Sequence, residues 1–209
     1  MTELAGRPAP ERACLRMEGA DARAVLQGAV SNDVEALTPG RPVYAALLTP
    51  QGKYLFDFFL VDAGEGALLI DVAADRAEAL AKRVKMYCLR RDARVVPADG
   101  VRVALAWPAA AASRPPTPAA APDQAETVVP DPRDGALGWR LYGPDPWAAL
   151  AGAGAREAGR GEYDALRVAR GVPETGVELV PEETFILEAG FERLHGVDFR
   201  KGCYVGQEV

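Results

Sequence analysis

The sequence predicts an α+β protein in which helices pack on antiparallel sheets. Three apolar stretches rich in aromatic and branched residues follow one another with turn sequences between them, which is typical of an antiparallel meander. A helical pattern comes next, because Leu80, Val84 and Tyr87 recur at helical spacing. The meander strands are expected at residues 43–49, 54–61 and 67–72, and the helix at residues 76–88.

Shorter elements flank this central pattern. Residues 19–28 suit a helix that Asp21 caps and that Gly28 ends in a left-handed conformation. Asp75 and Glu78 have the spacing of a capping box at the start of the next helix. Further strands are expected at residues 95–96, 101–107, 137–142 and 185–187, and further helices at 146–150 and 163–170.

A change of composition divides the chain. Residues 108–122 contain only Ala, Pro, Ser, Arg and Thr, and five prolines forbid a continuous helix there. The sequence therefore predicts a first α+β subdomain at 1–107, a linker or long loop at 108–126, and a second subdomain at 127–209.

Composition excludes several classes of protein. The 209 residues are 49% apolar, enough to bury a core, and the net charge of −6 argues against a general phosphate-backbone binder. No apolar run approaches the ~20 residues of a membrane span. The first 16 residues lack a signal-peptide hydrophobic core, so a cytoplasmic protein is expected.

Cysteine and histidine are too few for several kinds of site. Cys14, Cys88 and Cys203 lie far apart without a CxxC pair, which predicts neither a disulfide framework nor a zinc ribbon. His195 is the one histidine, so no site built from several histidines is possible. Its loop position favours a structural role, although its titration range leaves it eligible as a base.

Polar chemistry is concentrated at residues 201–208, which read K-G-C-Y-V-G-Q-E. Lys201 stands two residues from Cys203, and a neighbouring ammonium favours the thiolate form of cysteine. The flanking glycines allow close backbone approach to a ligand. The alternative is that Cys203 is a small buried hydrophobe.

This octapeptide resembles the KGCYxGQE signature of the YgfZ-like folate-binding proteins, which are related to the glycine-cleavage aminomethyltransferases and to a mitochondrial iron–sulfur assembly factor. The resemblance extends through residues 19–22, 26–28, 32–34, 48–53, 166–176 and 188–197. It implies α+β domains arranged around a central tetrahydrofolate pocket, and a β-rich C-terminal domain that is expected to follow the signature and to be missing from residues 1–209. It also implies support of iron–sulfur enzymes, including tRNA-modifying ones.

The resemblance assigns roles to particular residues. Cys203 and Lys201 correspond to the functional thiol and its cation, and Tyr163 to an aromatic residue that stacks on folate. Arg12 stands where a second aromatic residue is usual. The remaining candidates for binding folate are Asp57, Glu188, Tyr204, Gln207 and Glu208.

Asp57 lies between Phe56 and Phe58 in an apolar strand, so either it contacts a ligand or alternation turns it to solvent. In the aminomethyltransferases this strand carries an acidic pair, and Phe56 fills the other place. Ala169 likewise replaces a glutamate. The resemblance therefore favours an accessory folate-binding protein for iron–sulfur assembly, with a tetrahydrofolate-dependent aminomethyl or methyl transferase as the alternative.

A basic run remains outside these assignments. Basic runs of this kind are usually a solvated helix face. This run is also able to attract a folate polyglutamate tail, RNA or an acidic protein. A pure docking scaffold is therefore a third hypothesis. The expected partners are folate and iron–sulfur proteins or their assembly machinery, with no membrane and no direct nucleic-acid binding. The run comprises Lys82, Arg83, Lys85, Arg90, Arg91 and Arg94.

Overall fold

A computed structural model describes residues 4–109 and 127–207. This part of the chain forms two mixed layers of strands and helices, which confirms the predicted α+β class. The strands are β1 (Leu4–Pro8), β2 (Arg12–Glu18), β3 (Val43–Leu48), β4 (Tyr54–Asp62), β5 (Leu68–Ala73), β6 (Arg94–Pro97), β7 (Arg102–Pro108), β8 (Thr127–Pro130), β9 (Trp139–Gly143) and β10 (Arg156–Glu157). The helices are α1 (Ala22–Gln27), α2 (Ala77–Tyr87), α3 (Pro146–Gly152) and α4 (Arg160–Ala169).

The first sheet has the strand order β3-β4-β5-β2-β6, and all its neighbours are antiparallel. It contains the predicted meander, whose three strands pair in sequence order. β2 was not predicted from the sequence, although Leu15 and Met17 alternate along it with Arg16 and Glu18, as in a half-buried strand. α1 and α2 cover the outer face through Leu26, Leu80 and Val84.

The second sheet has the order β10-β1-β7-β9-β8. Only the β1–β10 pair is parallel. Because β1 and β7 precede the predicted linker and the other three strands follow it, this sheet spans the predicted boundary. β7 includes Pro108, and most of the predicted linker, residues 110–126, lies outside the described residues.

Several local predictions differ from the structure. Gly28 is right-handed, with φ −80°, and the Asp21 carboxylate accepts a hydrogen bond from the Asp92 backbone instead of capping α1. Asp75 lies in a 3-10 turn before α2 and does not cap it, while Glu78 pairs with Lys82. The partner of Asp21 is distant in sequence, so local spacing does not reveal it.

The second half follows its predicted pattern with shifted ends. α4 begins three residues earlier than predicted, where the Glu162 carboxylate returns to the Gly159 backbone N–H. Leu137 belongs to a 3-10 turn before β9. Residues 185–187 form no strand, and Phe185 makes a single bridge to Lys53.

The largest core lies between the two sheets. Tyr44 and Phe59 of the first sheet and Leu105, Trp107 and Tyr142 of the second belong to one cluster of buried side chains. Burial of this apolar area is the main favourable term in folding. The same interface also contains polar side chains, and they form the first part of the candidate site.

Candidate functional site

Asp57 points into the space between the sheets. Its side chain accepts hydrogen bonds from the hydroxyls of Tyr44 at 3.0 Å, Tyr54 at 2.7 Å and Thr175 at 2.5 Å. Only 3% of the residue is exposed. The solvent-facing alternative for Asp57 is therefore wrong. A buried carboxylate needs such donors because an unpaired charge in an apolar interior is costly.

The two tyrosines beside Asp57 remain hydroxyl donors. Burial raises the pKa of Tyr44 well above its usual value, and the Asp57 carboxylate raises it further. Burial and Asp57 raise the pKa of Tyr54 in the same way. Both phenols thus stay protonated at neutral pH and solvate the carboxylate.

A second buried network centres on Asp71 and Arg140. Asp71 accepts from Arg12 at 2.7 Å, from Arg140 at 2.7 Å and from the Tyr142 hydroxyl at 2.8 Å. Burial alone raises the pKa of Asp71, but the guanidinium groups of Arg12 and Arg140 outweigh it and hold the pKa below its usual value. Asp71 is therefore ionised at neutral pH, and its single negative charge is shared by two arginines.

A third cluster joins the second network. Asp131 accepts from Arg133 at 2.8 Å and from Arg140 at 3.3 Å. Arg133 also donates to the Tyr163 hydroxyl at 3.2 Å. The guanidinium carbons of Arg140 and Arg133 lie 3.9 and 4.7 Å from the ring centroid of Phe59. One aromatic ring is thus covered by two cations.

A cavity of about 40 Å³ remains among these groups. This volume holds a few water molecules. Asp57 and Tyr163 both border it, so the structure brings together two residues that the sequence analysis selected separately. The other lining residues are Glu11, Arg12, Phe59, Leu105, Arg133, Arg140, Arg160, Asp164, Arg167, Pro173, Glu174 and Thr175.

The residues around this cavity do not fit a folate. Pockets for ligands of that size are about 300–1,000 Å³, whereas this one is about 40 Å³. The face of the Phe59 ring, which borders the cavity, is already covered by Arg133 and Arg140. Tyr163 is 8% exposed and packs on Trp107 with ring centroids 5.4 Å apart. A folate would have to displace this network.

The signature segment lies elsewhere, as an extended tail at the surface. Cys203 is exposed, whereas Cys14 is buried and Cys88 is partly buried. Lys201 is directed away from bulk solvent: its Nζ donates to the carbonyl oxygen of Gln27 and, at 2.6 Å, to that of Val30. These carbonyls lie at the C-terminal end of α1, where backbone acceptors lack helical partners.

The segment that precedes the signature is hydrogen-bonded to the loop that follows α1. Ser31 Oγ donates to the Gly196 carbonyl oxygen at 2.6 Å and accepts from the Ala46 backbone. Asn32 donates to the His195 carbonyl oxygen at 2.7 Å. His195 itself has a left-handed backbone, with φ 53°, and an exposed side chain, so its observed contact is structural.

The end of the signature packs against the β3–β4 turn. Gly206 has φ 83°, and a Cβ atom there would lie 2.4 Å from the Thr49 carbonyl oxygen. Tyr204 packs on the inter-sheet core, and its backbone N–H donates to the Gln207 side chain at 3.2 Å. Glu208 lies outside the described residues.

Glu188 and the basic run lie away from both the cavity and the signature segment. Glu188 is exposed beside an open groove of about 530 Å³ that Val168 and Arg193 also line. The basic run extends from α2 through the following turn to the start of β6, and in it Lys82 pairs with Glu78 and Arg94 with Glu18. The structure therefore separates the cavity, the tail and the basic run.

Sequence reasoning missed most residues of the polar interior. Asp71, Asp131, Arg133 and Arg140 were not selected, although Asp71 and Arg140 stand inside strands whose other residues are largely apolar. A charged residue in a buried strand is a usable signal of a network, because such charges need partners. Ser31 carried no comparable signal.

No protein-family model matches the sequence. The chain is 33% identical to the human mitochondrial iron–sulfur cluster assembly factor IBA57, over 95% of this chain and 59% of that protein. It is 32% identical to the Mycosarcoma maydis homologue, over 96% and 51%. The chain thus spans roughly half to three-fifths of these relatives.

A solved structure shows the fold. Glycine cleavage system aminomethyltransferase T from Bartonella henselae superposes with a TM-score of 0.71 at 18% identity, over 88% of this chain and 55% of that one. In the described part of the chain, no helix is long and apolar enough to span a bilayer.

The predicted cytoplasmic location is corrected by the relatives, whose names place them in mitochondria. That prediction rested on the missing signal-peptide core, but organelle transit peptides are amphipathic and do not contain one. Over almost its whole length the chain is similar to the IBA57-type iron–sulfur cluster assembly factors, and it carries the fold of the aminomethyltransferase.

Proposed function

We propose that this chain supports the assembly or repair of iron–sulfur clusters, including those of tRNA-modifying enzymes, with Cys203 as its functional thiol. The observation that carries the proposal is the exposure of Cys203 within a surface tail. Burial raises the pKa of both other thiols, Cys14 and Cys88, which keeps them protonated. Thiolates are the form that binds iron and exchanges with other thiols.

Cys203 acts here as one ligand in a shared site. Its thiol loses a proton to solvent as sulfur binds an iron of the cluster, which is the cargo. Within residues 4–109 and 127–207, no group of three His, Cys, Asp or Glu side chains is placed to hold a metal ion. The remaining ligands therefore come from the donor or recipient protein.

Folate has no step in this proposal. Folate binding is what the family resemblance implies, and the fold supports that relationship. In this chain, however, a folate in the central cavity needs Arg133 and Arg140 to leave the face of Phe59. The proposed role of Cys203 uses only the surface tail.

A second candidate function is aminomethyl transfer, which the fold and the position of Asp57 beside the cavity favour. Against it, three hydroxyl groups already bond the Asp57 carboxylate. Turnover of a methylamine-type donor with tetrahydrofolate that is abolished by Asp57→Asn would establish this reaction. We expect no such turnover, because the cavity does not accommodate both reactants.

The proposed function is tested in cells that lack their own iron–sulfur assembly factor of this type. We expect the wild-type chain to restore the activity of iron–sulfur enzymes and Cys203→Ala to restore none at equal protein level. Cys88→Ala is the matched control and should behave as wild type. Full rescue by Cys203→Ala would refute the role of the thiol.

A further inference from the structure

We propose that Lys201 and Gly206 form a two-point clamp that holds the intervening Cys203 thiol at the surface, with Lys201 as a positioning residue. This inference rests on the proposed function of Cys203. It assigns Lys201 a role different from the one suggested by its place in the sequence, where it stands as an electrostatic neighbour of the thiol.

The first point of the clamp is the ammonium group of Lys201. It donates to the carbonyl oxygens of Gln27 and Val30, just beyond the last turn of α1. The C-terminal end of a helix carries partial negative charge, so a cation there is favoured. The same nitrogen also lies 5.0 Å from the centroid of the Tyr204 ring, which is a cation–π contact.

The ammonium group of Lys201 is partly shielded from solvent. Desolvation lowers the pKa of Lys201 to about 8, and the nearby carboxylates of Asp33 and Asp198 act in the opposite direction. A lysine that only attracts solvent anions has no reason to be buried in this way. Hydrogen bonds from a charged donor are among the stronger ones in proteins.

The second point is Gly206. Its backbone approaches the β3–β4 turn so closely that a Cβ atom would meet Thr49 at 2.4 Å and Leu48 at 2.9 Å. Its φ of 83° also favours glycine. Gly202 has a similar φ of 93° but nothing within 4 Å of its would-be Cβ. Close packing therefore distinguishes Gly206 from Gly202.

The two points bracket Cys203 by two residues on one side and three on the other. A short chain fixed at both ends retains little conformational freedom, so the thiol is presented in one place without being buried. Presentation at a fixed place lowers the entropic cost of meeting a partner's iron.

Hydrogen exchange of the tail tests the clamp directly. We expect Lys201→Met to raise the exchange rates of backbone amides in residues 201–207 by about tenfold, because two charge-assisted hydrogen bonds are lost. Arg200→Met, a change in the exposed neighbouring side chain, should leave them unchanged. Unchanged exchange in Lys201→Met would overturn the proposal.

The glycine pair tests the second point. Gly206→Ala should raise exchange in the same peptide, and Gly202→Ala, which shares the positive φ but not the close packing, should raise it less. Equal effects of the two substitutions would show that backbone strain alone is responsible and would overturn the second point.

A functional measurement separates positioning from electrostatics and from the proposed function. Lys201→Met should reduce iron–sulfur enzyme rescue, and Lys201→Arg, which keeps a donor cation, should recover part of it. A shifted pH profile for alkylation of Cys203 in Lys201→Met with unchanged exchange would make Lys201 an electrostatic partner instead. If Cys203→Ala is harmless, the proposed function fails, whereas the exchange result still decides the clamp.

Discussion

Arg140 is the residue on which most of the polar interior depends. Its guanidinium group is 2% exposed, donates to both Asp71 and Asp131, and covers the Phe59 ring. Charges at such depth are tolerated only when they are paired and hydrogen-bonded. The two sheets therefore meet through an ion network as well as through apolar contacts.

Loss of Arg140 should destabilise the protein strongly. We expect Arg140→Met to lower the free energy of unfolding by about 3–5 kcal/mol, because two buried carboxylates lose a partner. Arg102→Met, at an exposed position at the start of β7, should change it by less than about 0.5 kcal/mol. Urea unfolding of both variants measures the difference, and equal small changes would contradict this account.

The same ion network makes the stability of the folded protein depend on pH. For Asp71 and Asp131, burial raises the pKa but the arginines outweigh it, so the pKa of each is lowered. The stabilisation is complete above the pKa of an unfolded aspartate, about 4, and is lost as pH falls through the folded pKa. NMR titration of the two carboxyl carbons should give midpoints below that value. A midpoint at or above it would contradict the assigned pairing.

At the scale of elements, β9 is placed by a single glycine. Gly138 has φ 72°, and a Cβ atom there would lie 2.2 Å from the Ala106 carbonyl oxygen of β7. β9 lies between β7 and β8 and carries Arg140, so the turn before it controls how the second sheet meets the first.

Two glycine substitutions should have opposite signs. Gly138→Ala should cost at least about 1–2 kcal/mol, because alanine disfavours a left-handed backbone and its Cβ clashes with β7. Gly161→Ala lies in α4, where nothing is within 4 Å of the new Cβ, and should stabilise by up to about 1 kcal/mol. Thermal unfolding distinguishes them, and destabilisation by both would contradict the packing described.

The elements also show what sequence can and cannot predict. The meander and α2 were predicted because apolar runs bounded by turn residues, and helical spacing, are local properties of residues 43–88. β2 was missed although its residues alternate, and the partner of Arg12, Asp71, lies on a distant strand that only the folded sheet brings near. The tail motif was found by resemblance, but its clamp needs the contact of Lys201 with Gln27, which no local pattern encodes.

At the scale of the whole molecule, the described residues combine a small cavity between the sheets with an exposed tail. The cavity between the sheets holds about 40 Å³, whereas the thiol of Cys203 is exposed. A protein that processed folate would need a much larger cavity between its sheets. The exposure of Cys203 supports the proposed role of this thiol.

Folate binding is a direct check on the closed interior. We expect calorimetry of this chain with 5-formyltetrahydrofolate, a stable reduced folate, to show no saturable heat up to about 1 mM, weaker than a binding free energy of about −4 kcal/mol. Saturable binding that Tyr163→Ala abolishes would show that the arginine network opens for a ligand, contrary to this structure.

The central claim is that the Cys203 sulfur binds iron. Anaerobic reconstitution of the purified chain with iron and sulfide, in the presence of glutathione as the source of additional thiolate ligands, tests it by visible circular dichroism. We predict a protein-induced sulfur-to-iron charge-transfer signal for wild type and for Cys88→Ala, and its loss in Cys203→Ala. A signal of undiminished intensity in Cys203→Ala would contradict the claim.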